Sequence, residues 1–554
     1  MTDSLCIALA QLNPTVGDIA GNLARARKAR AGGAALGADL VVFSELFITG
    51  YPPEDLILKP SFQDAAEAAI ADLAGDTANG GPTLLIGTPW RENGDLYNAA
   101  VLLAHGEIAA RRYKYDLPNY GVFDEKRLFA AGPLPGPVSF RGMRLGVMVC
   151  EDMWAPDVAE CLQETGAEIL VIGNGSPFEA DKRDERMNLA IARVVETGLP
   201  LIYVNQFGGQ DELVFDGGSF VLAHDRTLCV QAPSWCEDLR ATDWSRNGKG
   251  HWECESQLAC TPSEPLDSIY QAIVLGLRDY VNKNGFPGVV LGLSGGIDSA
   301  LSAVVAVDAL GADRVRCLIM PSPYTSQGSI DDAEACATAL GVRTDTVPIA
   351  SAMEAYDSIL DPLFEDREAD VTEENIQARI RGMTVMAFSN KFGHMALTTG
   401  NKSEMSVGYA TLYGDMCGGY SALKDVYKTM VYDLSRWRNT HHPERVYGPG
   451  QRVIPDNIIT KAPSAELKPD QTDQDTLPPY DVLDDILESL IEREMAFDDI
   501  VERGYTADTV ARVARMLYVA EYKRRQAPPG VKITRRSFGR DRRYPITNGY
   551  LGVK

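Results

Sequence analysis

Along residues 5–230, short apolar runs rich in Val, Ile and Leu alternate with longer stretches whose apolar residues return every third or fourth position. The runs at 5–10, 40–43, 83–86, 145–149, 169–172 and 201–204 have the length and composition of strands buried in sheets. Residues 17–36 and 182–197, rich in Ala and Arg, carry the spacing of helices packed outside them. Segments 97–113 and 218–230 have hairpin character, so a mixed, sandwich-like α/β domain is expected for the first half. Residues 233–265 mix Trp, Cys, Gly, Pro and charge without a period and read as the linker region, with a boundary near 262. We therefore assign 1–250 to a first domain, 251–265 to a linker and 266–554 to a second domain. The second opens with a helix at 266–284, a strand at 289–293, a glycine turn, a helix at 299–310 and a strand at 315–320. That order is a βαβ unit of a doubly wound parallel sheet. Residues 371–390 and 477–501 read as later helices, and 453–479, with five prolines, as a long loop able to close over a site.

Length changes the picture only by excluding a small binding module, since 554 residues suffice for two large domains or three smaller ones. Hydrophobic residues at 45% and charged residues at 23% place the chain among ordinary globular proteins. Acidic residues outnumber basic ones by 77 to 53, a net charge of -24 that repels nucleic acid and anionic membranes, so neither partner is expected. The ten cysteines form no CxxC pair and the six histidines no HExxH, which argues against structural zinc and for reduced thiols. A start without a basic segment, and no apolar run long enough to span a bilayer, make the cytoplasm the expected compartment.

Chemistry enters at the turn Gly292, Leu293, Ser294, Gly295, Gly296, Ile297, Asp298, Ser299, set between a buried strand and a helix. Backbone N–H groups and the helix dipole there can cradle phosphate oxygens, while Ser294, Asp298 and Ser299 suit a magnesium pyrophosphate. The loop has neither the GK[ST] ending of a Walker sequence nor GxGxxG spacing. A tight turn and nothing more is the plainer reading of a glycine pair. SGGxDS at such a junction resembles the ATP pyrophosphatase family, whose members cleave ATP between the α and β phosphates. The segments 374–381 (ENIQARIR), 398–404 (TTGNKSE) and 461–467 (KAPSAEL), followed by Gln471, Asp473, Gln474 and Asp475, resemble NAD synthetases within it. The resemblance implies ATP contacts from residues 292–299, Thr399, Lys424 and Ser464. It also implies magnesium on Asp298 and Glu404, and deamido-NAD contacts from Asn375, Glu404 and Lys523. The tail from Lys523 to Arg543 holds nine basic residues against one acid; it could meet a dinucleotide pyrophosphate, and a solvated or subunit-contact charge run explains it equally well.

In the first half, Glu45, Lys114 and Cys150 each follow an apolar run, where α/β folds gather reactive groups. A cysteine there could present a thiolate, its pKa lowered by the lysine, while the carboxylate takes a proton. Taken singly, a cysteine after a β-run is inert core, and Glu and Lys are surface residues. Together the segments SELFITGYPPEDL, KYDLPNYGVFDEKRLF and CEDMW resemble the nitrilase superfamily, in the form of the glutaminase half of glutamine-dependent NAD synthetases. That implies an α-β-β-α sandwich with Cys150 as nucleophile, Glu45 as general base, Lys114 stabilising the tetrahedral intermediate and Glu125 as a supporting carboxylate. Tyr120, Ser176 and Lys182 would hold glutamine, with Ser176-Pro-Phe-Glu179 replacing the SPFH of many relatives.

The resemblance spans almost the whole chain and implies a carbon–nitrogen ligase using glutamine, ATP and deamido-NAD, with an enclosed route for ammonia and assembly as a dimer or larger homo-oligomer. A change of acceptor, as in GMP or asparagine synthesis or tRNA thiolation, would not account for the nitrilase-type half. A nucleotide sensor with decayed sites would have lost Cys150, Asp298 or Glu404, and all three are present.

Overall fold

The strand Ser4–Gln11 sends Leu5, Ile7 and Leu9 to one side and Ala8 and Ala10 to the other, and that alternation builds two different cores. The structure is a computed structural model and describes residues 4–550 except 258, 259, 262, 365, 366 and 470; it divides into the units Met1–Glu264 and Pro265–Lys554. In the first unit a seven-stranded sheet runs in the order Trp252–Cys254, Asp238–Arg246, Ser4–Gln11, Leu40–Phe43, Thr83–Glu92, Asp95–Ala104, Glu107–Tyr113. A six-stranded sheet runs Leu228–Gln231, Phe220–Leu222, Leu201–Asn205, Ile169–Asn174, Met143–Val149, Val138–Phe140. Leu5, Ile7 and Leu9 pack on Leu145, Val147, Ile169, Val171, Ile202 and Val204, so one core lies between the sheets. Ala8, Ala10, Val41 and Phe43 meet Ala26, Ala66, Ile70 and Leu73 of the helices Ile19–Ala35 and Pro60–Asp76. Met148, Leu170 and Ile172 meet Val158, Leu162, Ala190 and Val194 of the helices Asp157–Glu164 and Lys182–Thr197. The layers are therefore α-β-β-α.

All pairings in the second unit's five-stranded sheet are parallel, in the order Arg343–Thr346, Val315–Ile319, Val289–Gly292, Met395–Thr398, Tyr420–Ser421. The first strand in sequence, Val289–Gly292, lies at the centre, where the winding reverses beside Met395–Thr398. Loops leaving these two strands open into one crevice, the place where doubly wound sheets bind ligands. The helix Ile297–Leu310 that follows the first loop is almost wholly buried.

Three expected elements differ. The strand Trp252–Cys254 pairs with Asp238–Arg246 inside the segment read as linker, because Trp252 fills the sandwich core. The boundary residue 262 lies outside the described residues. The helix expected at 477–501 is two, Tyr480–Ile491 and Phe497–Glu502, broken where Glu494 takes φ 48° and Glu492 turns its carboxylate onto buried Lys402 at 2.5 Å. Residues 453–479 are not a plain loop, since they include the helix Asp456–Thr460 and the turn Asp473–Asp475. Among the described residues no helix is long and apolar enough to cross a membrane.

Gly87, on Thr83–Glu92, is squeezed against the segment carrying Glu45: a Cβ there would lie 2.3 Å from the Leu46 nitrogen and 2.6 Å from the Ser44 oxygen. Main chain cannot swing aside as a side chain does. Gly87→Ala is expected to destabilise the first unit by about 1–3 kcal/mol, read by denaturant unfolding, and an unchanged midpoint would refute the crowding.

Candidate active sites

The carboxyl ends of three strands of the first unit converge on Lys114. Glu45 lies two residues past Leu40–Phe43, Lys114 directly follows Glu107–Tyr113, and Cys150 directly follows Met143–Val149. Lys114 Nζ donates to Glu45 Oε1 at 2.7 Å and to Glu125 Oε1 at 2.9 Å, all three side chains being buried. Glu45 Oε2 accepts the Gly175 N–H at 3.0 Å, and Glu125 Oε1 also accepts the Tyr51 hydroxyl at 2.8 Å. Burial pulls the Lys114 ammonium's pKa down, but Glu125 and Glu45 outweigh it and hold it well above its usual value. Glu125 is raised, by burial first and by Glu45, against the pull of Lys114.

Cys150 opens the short 3₁₀ turn Cys150–Met153 at φ 43°, an uncommon conformation for a side-chain-bearing residue. Asp152 holds it there: Oδ2 accepts the Val149 N–H, and Oδ1 accepts the N–H groups of Tyr115 and Asp116, each at 2.9 Å. One carboxylate thus ties the residue before the cysteine to the residues after the lysine. Burial pushes Asp152 up to about 7 although those N–H donors pull it down. Burial and then Glu45 push the Cys150 thiol well above its usual pKa, while Lys114, engaged by two carboxylates, pulls it down as the sequence leads one to expect.

Of the expected glutamine contacts, the Tyr120 hydroxyl donates to Glu151 at 3.0 Å beside a cleft of about 820 Å³ that Trp154 and Lys126 also line. Lys182 is buried with its ammonium 5.4 Å from the Phe123 ring and 5.6 Å from that of Trp154. Ser176 Oγ accepts Arg186 Nε at 3.0 Å, and Arg186 is in turn paired with Asp216 at 2.7 Å.

In the second unit the residue 292–299 loop is shaped by its own serines: Ser299 Oγ accepts the Ser294 N–H at 3.1 Å and donates to the Gly296 oxygen at 2.9 Å. Gly295 needs to be glycine, with φ 79° and space for a Cβ ending 2.2 Å from the Ser329 carbonyl oxygen. All of the loop except Gly295 lines a cavity of about 340 Å³, together with Thr399, Glu404, Lys428, Ser464 and Asp473. Lys428 Nζ bridges Asp298 Oδ2 and Glu404 Oε1, the latter at 3.3 Å. Asn401 donates to Asp298 Oδ1 at 2.8 Å and accepts the Glu404 N–H at 2.9 Å. Burial lowers the Lys428 pKa, but Asp298 and Glu404 more than reverse this; burial raises Glu404, with Lys428 opposing.

Lys428 was not singled out by the sequence; its only signal is a place four residues after Lys424. Lys424 instead lines a separate small cavity with Ser421, Asp415 and Glu404. Asn375 and Lys523 are not among the lining residues of either cavity. Asn375 Oδ1 accepts the Thr411 hydroxyl at 2.8 Å, and Lys523 Nζ donates to the Gly408 and Ala410 oxygens at 2.7 Å. Both brace the loop whose Tyr409 and Thr411 face the large cavity. Much of the basic tail is committed to internal ion pairs: Arg524 and Arg542 on Glu521 at 2.8 and 3.0 Å, Lys532 on Asp541 at 3.0 Å, and Arg536 on Glu494.

Comparison with known proteins agrees with this two-site layout. The carbon-nitrogen hydrolase family matches residues 6–252 and the NAD synthase family residues 269–527. The glutamine-dependent NAD(+) synthetase of Rhodobacter capsulatus is 51% identical over 99% of both chains, and that of Xanthomonas campestris 46% over 99% of this chain and 98% of its own. The solved glutamine-dependent NAD+ synthetase of Acinetobacter baumannii, in complex with ADP, superposes with a TM-score of 0.79 at 40% identity over 99% of both chains. Two catalytic units in this order, matched end to end by such relatives, mean that the chain belongs to the glutamine-dependent NAD(+) synthetases.

Proposed function

We propose that Cys150 releases ammonia from glutamine in the first unit, and that the crevice of the second uses it to amidate deamido-NAD adenylated by ATP. The observation that carries the assignment is the buried Lys114 held between Glu45 and Glu125 beside Cys150, an arrangement that is expensive to bury. Glu45 accepts the thiol proton as Sγ attacks the carboxamide carbon, and Lys114 stabilises the oxyanion. The proton leaves on ammonia, and water activated by Glu45 then cleaves the thioester to give glutamate. Tyr120, Ser176 and Lys182 hold the substrate; the Lys182 ammonium, set against two aromatic rings, suits the α-carboxylate.

In the second unit the residue 292–299 loop and the N-terminus of Ile297–Leu310 hold the ATP phosphates, with Thr399 and Ser464 on the cavity wall. Lys424, on the adjoining small cavity, and Lys428, on the cavity wall beside Asp298, are the cations offered to the phosphates. Asp298 and Glu404 fit magnesium as hard oxygen donors facing one cavity, and among the described residues no cage of three or more His, Cys, Asp or Glu closes around a metal. Most ligand positions would therefore fall to phosphate and water, as magnesium prefers. When bound, the ion would neutralise charge on departing pyrophosphate. Glu404 borders the acceptor, while Asn375 and Lys523 act on it through the 408–411 loop. The scatter of ten cysteines without a CxxC pair fits a cytoplasmic location.

Cys150→Ala is expected to lower glutamine-supported NAD formation by at least about a thousand-fold and leave ammonium-supported synthesis intact. Equal loss with both nitrogen donors would sink the two-site division. Asp298→Asn and Glu404→Gln, which keep shape and remove charge, should block synthesis with either donor; a variant that makes NAD from ammonium at the parental rate is no metal ligand. For Lys523→Ala, steady-state kinetics with saturating ammonium should show the KM for deamido-NAD rising more than that for ATP, and unchanged constants would retire the loop-bracing role.

A further inference from the structure

Two carboxylates share one ammonium in the first unit, yet the chemistry needs only one of them as base. Counting Lys114, Tyr51 and Gly175 alone, they are equivalent: each receives the ammonium and one neutral donor. The strand Asp95–Ala104 breaks the tie. Its fully buried Asn98 donates Nδ2 to both carboxylates but unequally, to Glu45 Oε1 at 2.7 Å and to Glu125 Oε2 at only 3.5 Å.

We propose that Asn98 is a positioning residue of the glutaminase, which keeps the dyad's shared proton on Glu125 and so leaves Glu45 free to accept the proton of Cys150. The inference rests on the nitrilase-type reading of this site. Hydrogen bonds donated to a carboxylate stabilise its charged form, and a short bond does so more than a long one, so the carboxylate that Asn98 holds at 2.7 Å gives up the proton before the one it reaches at 3.5 Å. Burial raises the pKa of Glu125, the partner with the longer bond. The amide can face only one way, because reversal would set Oδ1 against the Glu45 oxygen. Oδ1 is itself buried without a hydrogen-bond partner, an uncommon loss that a packing asparagine would avoid and a dedicated donor explains. The main chain of Asn98 joins in: its carbonyl accepts the Lys114 N–H at 2.8 Å, so one residue fixes both the lysine's exit from its strand and the carboxylate it meets.

The groups that act on this dyad are Lys114, Cys150, Tyr51, Glu151 and, through Lys114, Asp152. None of them changes when Asn98 is replaced. Asn98→Leu keeps the branching and heavy-atom count and removes the donor, so the shared proton moves toward Glu45 and the base becomes available only at higher pH. Glutamate release by the full-length enzyme, supplied with ATP and deamido-NAD, is followed against pH. The acid limb of kcat/KM for glutamine should move up by about one pH unit, with about a tenfold loss on that limb that closes as pH rises. A loss of equal size at every pH, with the limb unmoved, would overturn the proposal by marking Asn98 as packing alone. Should Asn98→Leu unfold below the parental temperature, Asn98→Ser, too short to reach Glu45, replaces it, and an unmoved limb there overturns the proposal equally. Cys150→Ala assayed in parallel separates the two ideas: full glutaminase activity without the sulfur defeats the site reading itself, whereas an inactive Cys150→Ala beside an unmoved Asn98 limb defeats only the role of Asn98.

Discussion

Burying an ammonium costs several kcal/mol in lost hydration, and Lys114 is recovered from that cost only by carboxylates that are buried with it. The requirement propagates outward. Glu45 must be brought from the end of a central strand, Glu125 from the short helix Glu125–Leu128, and each must find further donors beside Lys114. Tyr51, Gly175 and Asn98 come from three further segments to do so. Removing any charged member leaves the others buried and uncompensated, so the site is held as a unit rather than as a set of pairs.

The second unit repeats the device with a different purpose. Lys428 lies between Asp298 and Glu404, but these carboxylates border an open cavity rather than a sealed core. In the first unit the ammonium is a permanent partner. In the second it is a counter-charge that joins two acids on a cavity wall. Asn401 ties the same two residues together, since it bonds the Asp298 side chain and the Glu404 main chain.

The sequence made the local parts of this readable. Apolar runs of four to six residues located the strands, and the residues that follow them, Glu45, Lys114, Cys150 and the 292–299 loop, stood out by position. What it hid is long-range. Nothing in residues 95–104 tells that Asn98 faces a carboxylate 53 positions earlier, and Lys428 meets Asp298 from 130 positions away. The upward push of burial and Glu45 on the Cys150 thiol was hidden for the same reason, because it depends on which groups pack around the sulfur. The broken helix at 492–496 and the basic tail follow one rule: charge that looked solvated in sequence was recruited by buried partners, Glu492 by Lys402 and Arg542 by Glu521.

Peroxides and other mild oxidants attack sulfur as its anion, and they attack where solvent reaches. Cys150 offers little of either, being buried and having its thiol pushed above its usual pKa by burial and Glu45. The surroundings that hold this thiol back from ionising therefore also shield it from oxidation to sulfenic acid.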